Sequence, residues 1–420
     1  MQASTLTLVF AIFVVASVLT KLWLSSRQIH HVAQHRHAVP EAFAAEVTQL
    51  SHERAAFYTI DKLRFETLST AISTAVLLAW TLLGGLDALN IWVRELVMPR
   101  WGALPYQLAL LMGFMLIGAV IELPLSAWQT FRIEQRHGFN RMSWGMWIGD
   151  QIKEALVGAL LGLPIAALIL WLMAQAGPQW WLWAWAAWVS FSLLLMVIFP
   201  TVIAPLFNKF EPLQDEALKT QIEGLMARCG FKAKGFFVMD GSRRSAHANA
   251  YFTGLGAAKR VVFFDTLLSR LNHGEIQAVL AHELGHFKHR HVLKRMVLMF
   301  VLSLLGFALL GWLSNQLAFY LGLGVRPNLT APNDALALLL FMLAVPVFAY
   351  FIAPIMAYLS RRDEYQADAY ACAHARAEDL RAALVKLYKD NASTLTPDPL
   401  YVGFYYSHPP AAERMAAMKG

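Results

Sequence analysis

The sequence predicts a mainly α-helical integral membrane protein of seven transmembrane helices, joined to a small α+β unit that carries a metal-binding helix. Three observations predict it. Seven apolar runs are each long enough to cross a hydrocarbon core of ~30 Å. Only 15% of the 420 residues are charged and 57% are hydrophobic, with a mean hydropathy of +0.46, which is a membrane composition. A long polar stretch, Pro200 to Lys294, interrupts the runs and contains His282-Glu283-Leu284-Gly285-His286.

The first run is Thr5 to Leu24. No positive segment precedes it, and Lys21 and Arg27 come at or after its end, so it reads as a retained helix with its N-terminus outside rather than a cleaved leader. Ser25 to Glu66 is polar and mixed in charge. Its His30, His31, His35 and His37 are expected in a solvated loop at the membrane surface rather than in a metal site. Leu68–Leu89, Tyr106–Leu125, Glu154–Met173 and Trp180–Phe199 are the next four spans. Trp180, Trp181, Trp183, Trp185 and Trp188 crowd the start of the fifth, and some of them are expected at the interface as an aromatic belt. Glu122, near the end of the third, faces protein or a water-filled space, or else lies at the headgroup level.

Within Pro200 to Lys294, Asp215–Cys229 reads as an amphipathic helix. Gly235–Met239 and Arg260–Phe264 read as strands, and Asn249–Thr253 as an edge strand. Asn272 is placed to cap a helix that runs unbroken from Gly274 into the histidine motif. This order predicts a metal helix packed on a sheet. Met296–Leu321 and Ala335–Leu359 are the sixth and seventh spans, and a polar C-terminal part follows, helical at Ala377–Lys389. The chain thus divides into 1–199 (spans one to five), 200–294 (catalytic unit), 295–359 (spans six and seven) and 360–420 (completing the metal site).

Arg27, Arg36, Arg54, Lys62, Arg64, Arg132, Arg136, Arg141 and Lys153 fall on the same side as the metal helix; the other side has Arg94, Arg100 and Arg326. This bias predicts a cytoplasmic metal helix. The net charge of +7 is therefore a matter of membrane topology. No basic stripe with interleaved aromatics argues for nucleic acid; the partner is the bilayer. Cys229 and Cys372 are neither a metal pair nor a disulfide framework.

On a helix His282 and His286 share one face and can hold one metal ion. Zn2+ suits imidazole and carboxylate donors, and a catalytic site keeps a position open for water. Glu283 is placed to take that water's proton. Gly285 leaves room on a crowded face. A third ligand must come from elsewhere, and Glu364 is the best placed. Asp368, one turn on, could hold a ligand histidine by its other ring nitrogen. Alternatively both acids pair with Arg361 and Arg362. His289 and His291 are expected to point away from the metal as surface residues.

Ile133–Asn140, Phe199–Phe210, Gly241–Phe252, Phe264–Leu268 and Ser407-His408-Pro409-Pro410 with Glu413-Arg414 extend the pattern over nearly the whole chain. Together with the motif they resemble the type I CAAX prenyl protease family, integral-membrane zinc endopeptidases of the gluzincin type. The resemblance implies a barrel of seven helices around a water-filled chamber, capped on the cytoplasmic side by a zincin-like domain. It implies one Zn2+ per chain on His282, His286 and Glu364, with Glu283 as general base and then proton donor. Asn249 would hold the substrate backbone by strand addition, His408 would stabilise the oxyanion, and Arg362 and Asp368 would support. The substrate would be a peptide or protein, prenylated at a CAAX end in eukaryotic relatives, and the enzyme a monomer. Richness in Ala, Leu and Trp, and an end at Ala417-Met418-Lys419-Gly420 without an ER retrieval signal, point to a bacterial inner membrane and to other membrane-associated substrates.

Two rival functions remain. A transporter or channel is opposed by the lack of internal repeats and matching broken helices. A chaperone-like protein with structural zinc is opposed by a ligand set that leaves one position open.

Overall fold

The computed structural model describes residues 2–231, 235–253 and 260–418; Lys419 and Gly420 of the C-terminal tail lie outside them. Among the described residues, six helical segments are long and apolar enough to cross a membrane, and a bent pair makes up to seven. The spanning segments begin with α1 (Ala3–His35), the pair α2 (Gln49–Trp80) and α3 (Gly85–Trp101), α4 (Ala103–Trp128), α5 (Trp144–Gln175) and α6 (Trp180–Ile198). Farther along come α10 (His291–Leu313) and the run of α12 (Asp334–Ala349) into α13 (Ala353–His374).

Several expectations need correction. Ser25 to Glu66 is not a loop: α1 continues to His35, and α2 begins at Gln49, capped by Thr48. Both helices outrun the bilayer, so their ends are polar without being unfolded. His31 stacks on His35 at 4.2 Å, and buried His52 meets the His35 carbonyl at 3.0 Å. The second span breaks between Trp80 and Gly85 with a bend of 53°. Gly84 takes φ +80, and a Cβ on Gly85 would lie 2.5 Å from the Ala79 carbonyl oxygen, so the glycine pair allows the turn. The sixth span stops at Leu313, and α11 (Leu317–Gly322) is a separate short helix crossing the start of α1. Glu122 lines two adjoining cavities of about 480 and 510 Å³, which share Lys21, Ser69 and Thr70, so it faces the interior of the bundle.

The soluble unit holds a four-stranded sheet in the order β1-β2-β4-β3. Its strands are β1 (Phe210–Pro212), β2 (Phe236–Met239), β3 (Ala250–Thr253) and β4 (Arg260–Phe264). β2 and β4 are parallel; the outer pairs are antiparallel. β1 is too short to show in the sequence pattern. The expected edge strand is an edge, though Asn249 itself immediately precedes it. α7 (Glu216–Arg228), α8 (Asp265–Leu268), α9 (His273–Lys288) and α14 (Ala377–Asp390) share an apolar core with the sheet. Leu218, Ile222, Val261, Phe263, Ile276, Leu280, Leu284 and Leu380 form one buried core between them.

Specific polar contacts join this unit to the membrane helices. Arg244 makes a two-pronged ion pair with Asp150 of α5, at 2.9 and 3.1 Å, and also donates to Asn208. Tyr58 of α2 donates to Glu134, and His247 lies 3.6 Å from the same carboxylate, stacked on Phe139. Paired, half-buried charges of this kind orient one unit on the other.

Candidate metal centre

α9 is held firmly at its start. Asn272 Oδ1 accepts the Glu275 backbone N–H and Glu275 accepts the Asn272 N–H, a reciprocal cap. Lys386 of α14 then pairs with the buried Glu275 at 2.7 Å. One turn before its end, α9 presses against α13. A Cβ on Gly285 would lie 2.8 Å from the Ala367 Cα and 3.1 Å from its carbonyl oxygen. Glycine lets the two helix backbones approach, which brings Glu364 to the histidines.

Three donor atoms converge there. His282 Nε2 and His286 Nε2 are 3.2 Å apart. Glu364 Oε2 lies 3.5 Å from the first and Oε1 lies 3.3 Å from the second. Donors about 2.0–2.2 Å from one tetrahedral zinc should be roughly 3.3–3.6 Å apart. Glu364 Oε2 is also buried with no hydrogen-bond partner, as an atom reserved for a metal would be. The residues fit zinc, and theirs is the one such cluster of three among the described residues.

The far sides of both imidazoles are fixed. His282 Nδ1 meets Asp368 Oδ1 at 2.8 Å, and buried Arg414 grips Asp368 through Nε at 2.8 Å and Nη2 at 2.6 Å. Burial opposes a charge on His282, but its hydrogen bond to Asp368 and the Glu364 carboxylate beside it prevail and raise its pKa to about 9. His286 Nδ1 lies 3.0 Å from His291 Nδ1. His291 is therefore not a surface residue. It is 2% exposed and linked at 3.0 Å to Gln366. Arg290 takes φ +55 between α9 and α10, so the chain turns and His291 comes back behind His286. His289 stacks on His291 and does not reach the donor cluster.

Glu283 is half-buried beside the donors and makes no hydrogen bond or ion pair among the described residues. Burial pushes its carboxyl pKa up, which suits a base that must later give the proton back. His408 Nε2 approaches Glu364 Oε1 at 3.4 Å, and its Nδ1 is 2.9 Å from Ser407 Oγ. Asn249 is exposed at the start of β3, its carbonyl accepting the Phe264 N–H. Arg362 is not brought into the cluster; it is exposed and lines a separate pocket. The alternative pairing of the two acids with the arginines does not occur, since Arg361 donates to the carbonyls of Val402 and Tyr406. Two contributors went unassigned in the sequence, Arg414 and His291. Arg414 stood in a matching stretch, but nothing there marked it as buried.

Comparison with known proteins decides what this centre belongs to. A family model for the CAAX prenyl protease N-terminal region, five membrane helices, matches residues 28–209, and one for peptidase family M48 matches residues 212–420. The chain belongs to peptidase family M48.

Within this family it is 35% identical over 419 residues to a CAAX prenyl protease 1 homolog of Arabidopsis thaliana, covering 97% of this chain and 96% of that one. It is 32% identical to the Homo sapiens CAAX prenyl protease 1 homolog, covering 94% of this chain and 90% of that one. The crystal structure of S. mikatae Ste24p superposes with a TM-score of 0.91 at 31% identity, over 99% of both chains. The protein is thus a multi-pass membrane metalloendopeptidase of the M48 CAAX prenyl protease type, and neither the transport nor the structural-metal alternative is favoured.

Proposed function

We propose that the bound metal is a single Zn2+, held by His282, His286 and Glu364, and that Glu283 is the catalytic base. The observation that carries this is the tetrahedral spacing of the three donors, with a Glu283 beside them that is unpaired among the described residues. Zinc bound there would act as a Lewis acid and lower the pKa of a water, so that it can lose a proton and attack a peptide carbonyl. Glu283 takes the proton from the attacking water and returns it to the leaving amine. His408 donates to the oxygen that gains charge at the carbonyl. Asp368 and Arg414 keep the His282 ring oriented, so that Nε2 faces the metal.

The substrate is read as an extended peptide paired with the open edge of β3, with Asn249 at the start of that edge. Prenylated CAAX ends are the first class to test, because relatives so named align over nearly the whole chain. The metal unit is assigned to the cytoplasm and the N-terminus to the outside from the loop charge bias. Composition supports a bacterial inner membrane, with other membrane-associated peptides as further substrates. A monomer suffices, since one chain supplies the whole donor set.

The test is zinc content and hydrolysis of a farnesylated CAAX peptide by detergent-purified protein, beside Glu364→Gln. The proposal expects one zinc per chain and cleavage in the wild type, and loss of both in the variant. A variant that keeps zinc and activity would refute the ligand set.

A further inference from the structure

A second feature of the metal-bearing side lies outside the catalytic machinery. Between the first turns of α10 and the middle of α13 is a pocket of about 210 Å³. It is lined by the cations Lys294, Arg295 and Arg362 and by the apolar Leu298, Met356 and Leu359. The sole acid among its described lining residues is Asp363, already engaged by Arg295 at 3.6 Å and by His291 at 3.5 Å. Lys294 and Arg362 are exposed and have no ion pair or hydrogen bond among the described residues. Three cations therefore face one pocket with a single, shared carboxylate.

The position of the pocket specifies what those cations meet. α10 is a spanning helix that starts at His291, so Lys294 and Arg295 sit in its first turns, where a span emerges from lipid. On α13, exposed Ile355, Tyr358 and Leu359 give way within one turn to Arg361 and Arg362, which marks the same boundary. The cationic and apolar lining residues thus match the two ends of one molecule, an anionic head and an apolar chain. Basic pockets between spans on the positively charged side of a membrane suit phosphate-bearing lipid heads, whereas a free anion gains nothing from apolar lining residues.

We propose that this pocket binds the phosphate headgroup of an anionic membrane lipid. The phosphate lies among Lys294, Arg295 and Arg362, and the start of an acyl chain rests on Leu298, Met356 and Leu359. The site is close to the metal centre: His291 lines the pocket and touches metal-ligand candidate His286 on its other side.

The experiment counts lipids retained by full-length, zinc-loaded protein in native mass spectrometry. Phosphatidylglycerol and phosphatidylcholine are titrated separately, with inorganic phosphate as a competitor. The wild type is compared with Lys294→Gln/Arg362→Gln and with Lys219→Gln/Lys389→Gln, which removes the same charge from α7 and α14, outside the pocket. Zinc content and thermal unfolding verify that each variant is folded. The proposal expects one phosphatidylglycerol site that is about thirtyfold weaker in the first variant and unchanged in the second. It expects no such difference with phosphatidylcholine. Equal binding by all three proteins, or equal loss in both variants, would overturn it. Full displacement by millimolar inorganic phosphate would also overturn it, in favour of a free-phosphate site.

Discussion

Arg414 and Asp368 form a two-pronged ion pair directly behind His282, with contacts of 2.6 and 2.8 Å, all of it buried. The pair joins α16 (Ala411–Ala417) to α13 and fixes which nitrogen of His282 is free for a metal. Orienting partners of this kind typically change metal affinity by about 10–100-fold. Arg414→Gln should therefore weaken zinc binding by that factor, as read by chelator competition. Arg414→Lys should rescue only part of it, because an ammonium cannot make both contacts.

His291 should matter and His289 should not. His291→Ala removes the group that meets His286 Nδ1, and zinc affinity should fall by roughly tenfold or more. His289→Ala should change it by less than about twofold, since that ring only stacks on His291. Equal effects of the two substitutions in the same competition assay would contradict the geometry.

Gly285 sets the distance between α9 and α13. A methyl there meets backbone at 2.8 Å, which cannot rotate away as a side chain could. Gly285→Ala should destabilise the fold by about 1–3 kcal/mol and push Glu364 off the histidines, lowering zinc content. Thermal unfolding with and without zinc checks both parts.

Zinc affinity should rise with pH. The metal-free His282 holds its proton up to a pKa of about 9, so below that value binding must displace it. The Asp368 and Glu364 contacts that raise this pKa stabilise the metal-free protein fully below the unfolded value of ~6.5, and that stability is lost as pH rises through about 9. Each unit of pH below about 9 should thus strengthen zinc binding by up to about tenfold, with no further gain above it. Dissociation constants at several pH values, with proton release measured by calorimetry in two buffers, test the sign.

Much of this was legible in the sequence, for physical reasons. A span needs about 20 apolar residues, so the seven runs stood out. The metal helix announced itself through Asn272 and an unbroken apolar period. Other features depend on single backbone angles. The turn at Arg290 has no glycine to mark it, so His291 read as pointing outward. The continuation of α1 and α2 past the bilayer was hidden because polar helix and polar loop share a composition. Arg414 was hidden for a different reason: an arginine is read as exposed until its buried partner is known.

The most direct measurement is hydrolysis by zinc-loaded wild type and zinc-loaded Glu283→Gln, on a farnesylated CAAX peptide and its unprenylated twin. Glu283 touches no donor atom among the described contacts, so the variant should keep its zinc. The account predicts cleavage by the wild type and a loss of at least about a hundredfold in the variant, with the twin reporting whether prenylation is needed. A zinc-loaded variant that cleaves as fast as the wild type would contradict the assignment of Glu283 and the mechanism built on it.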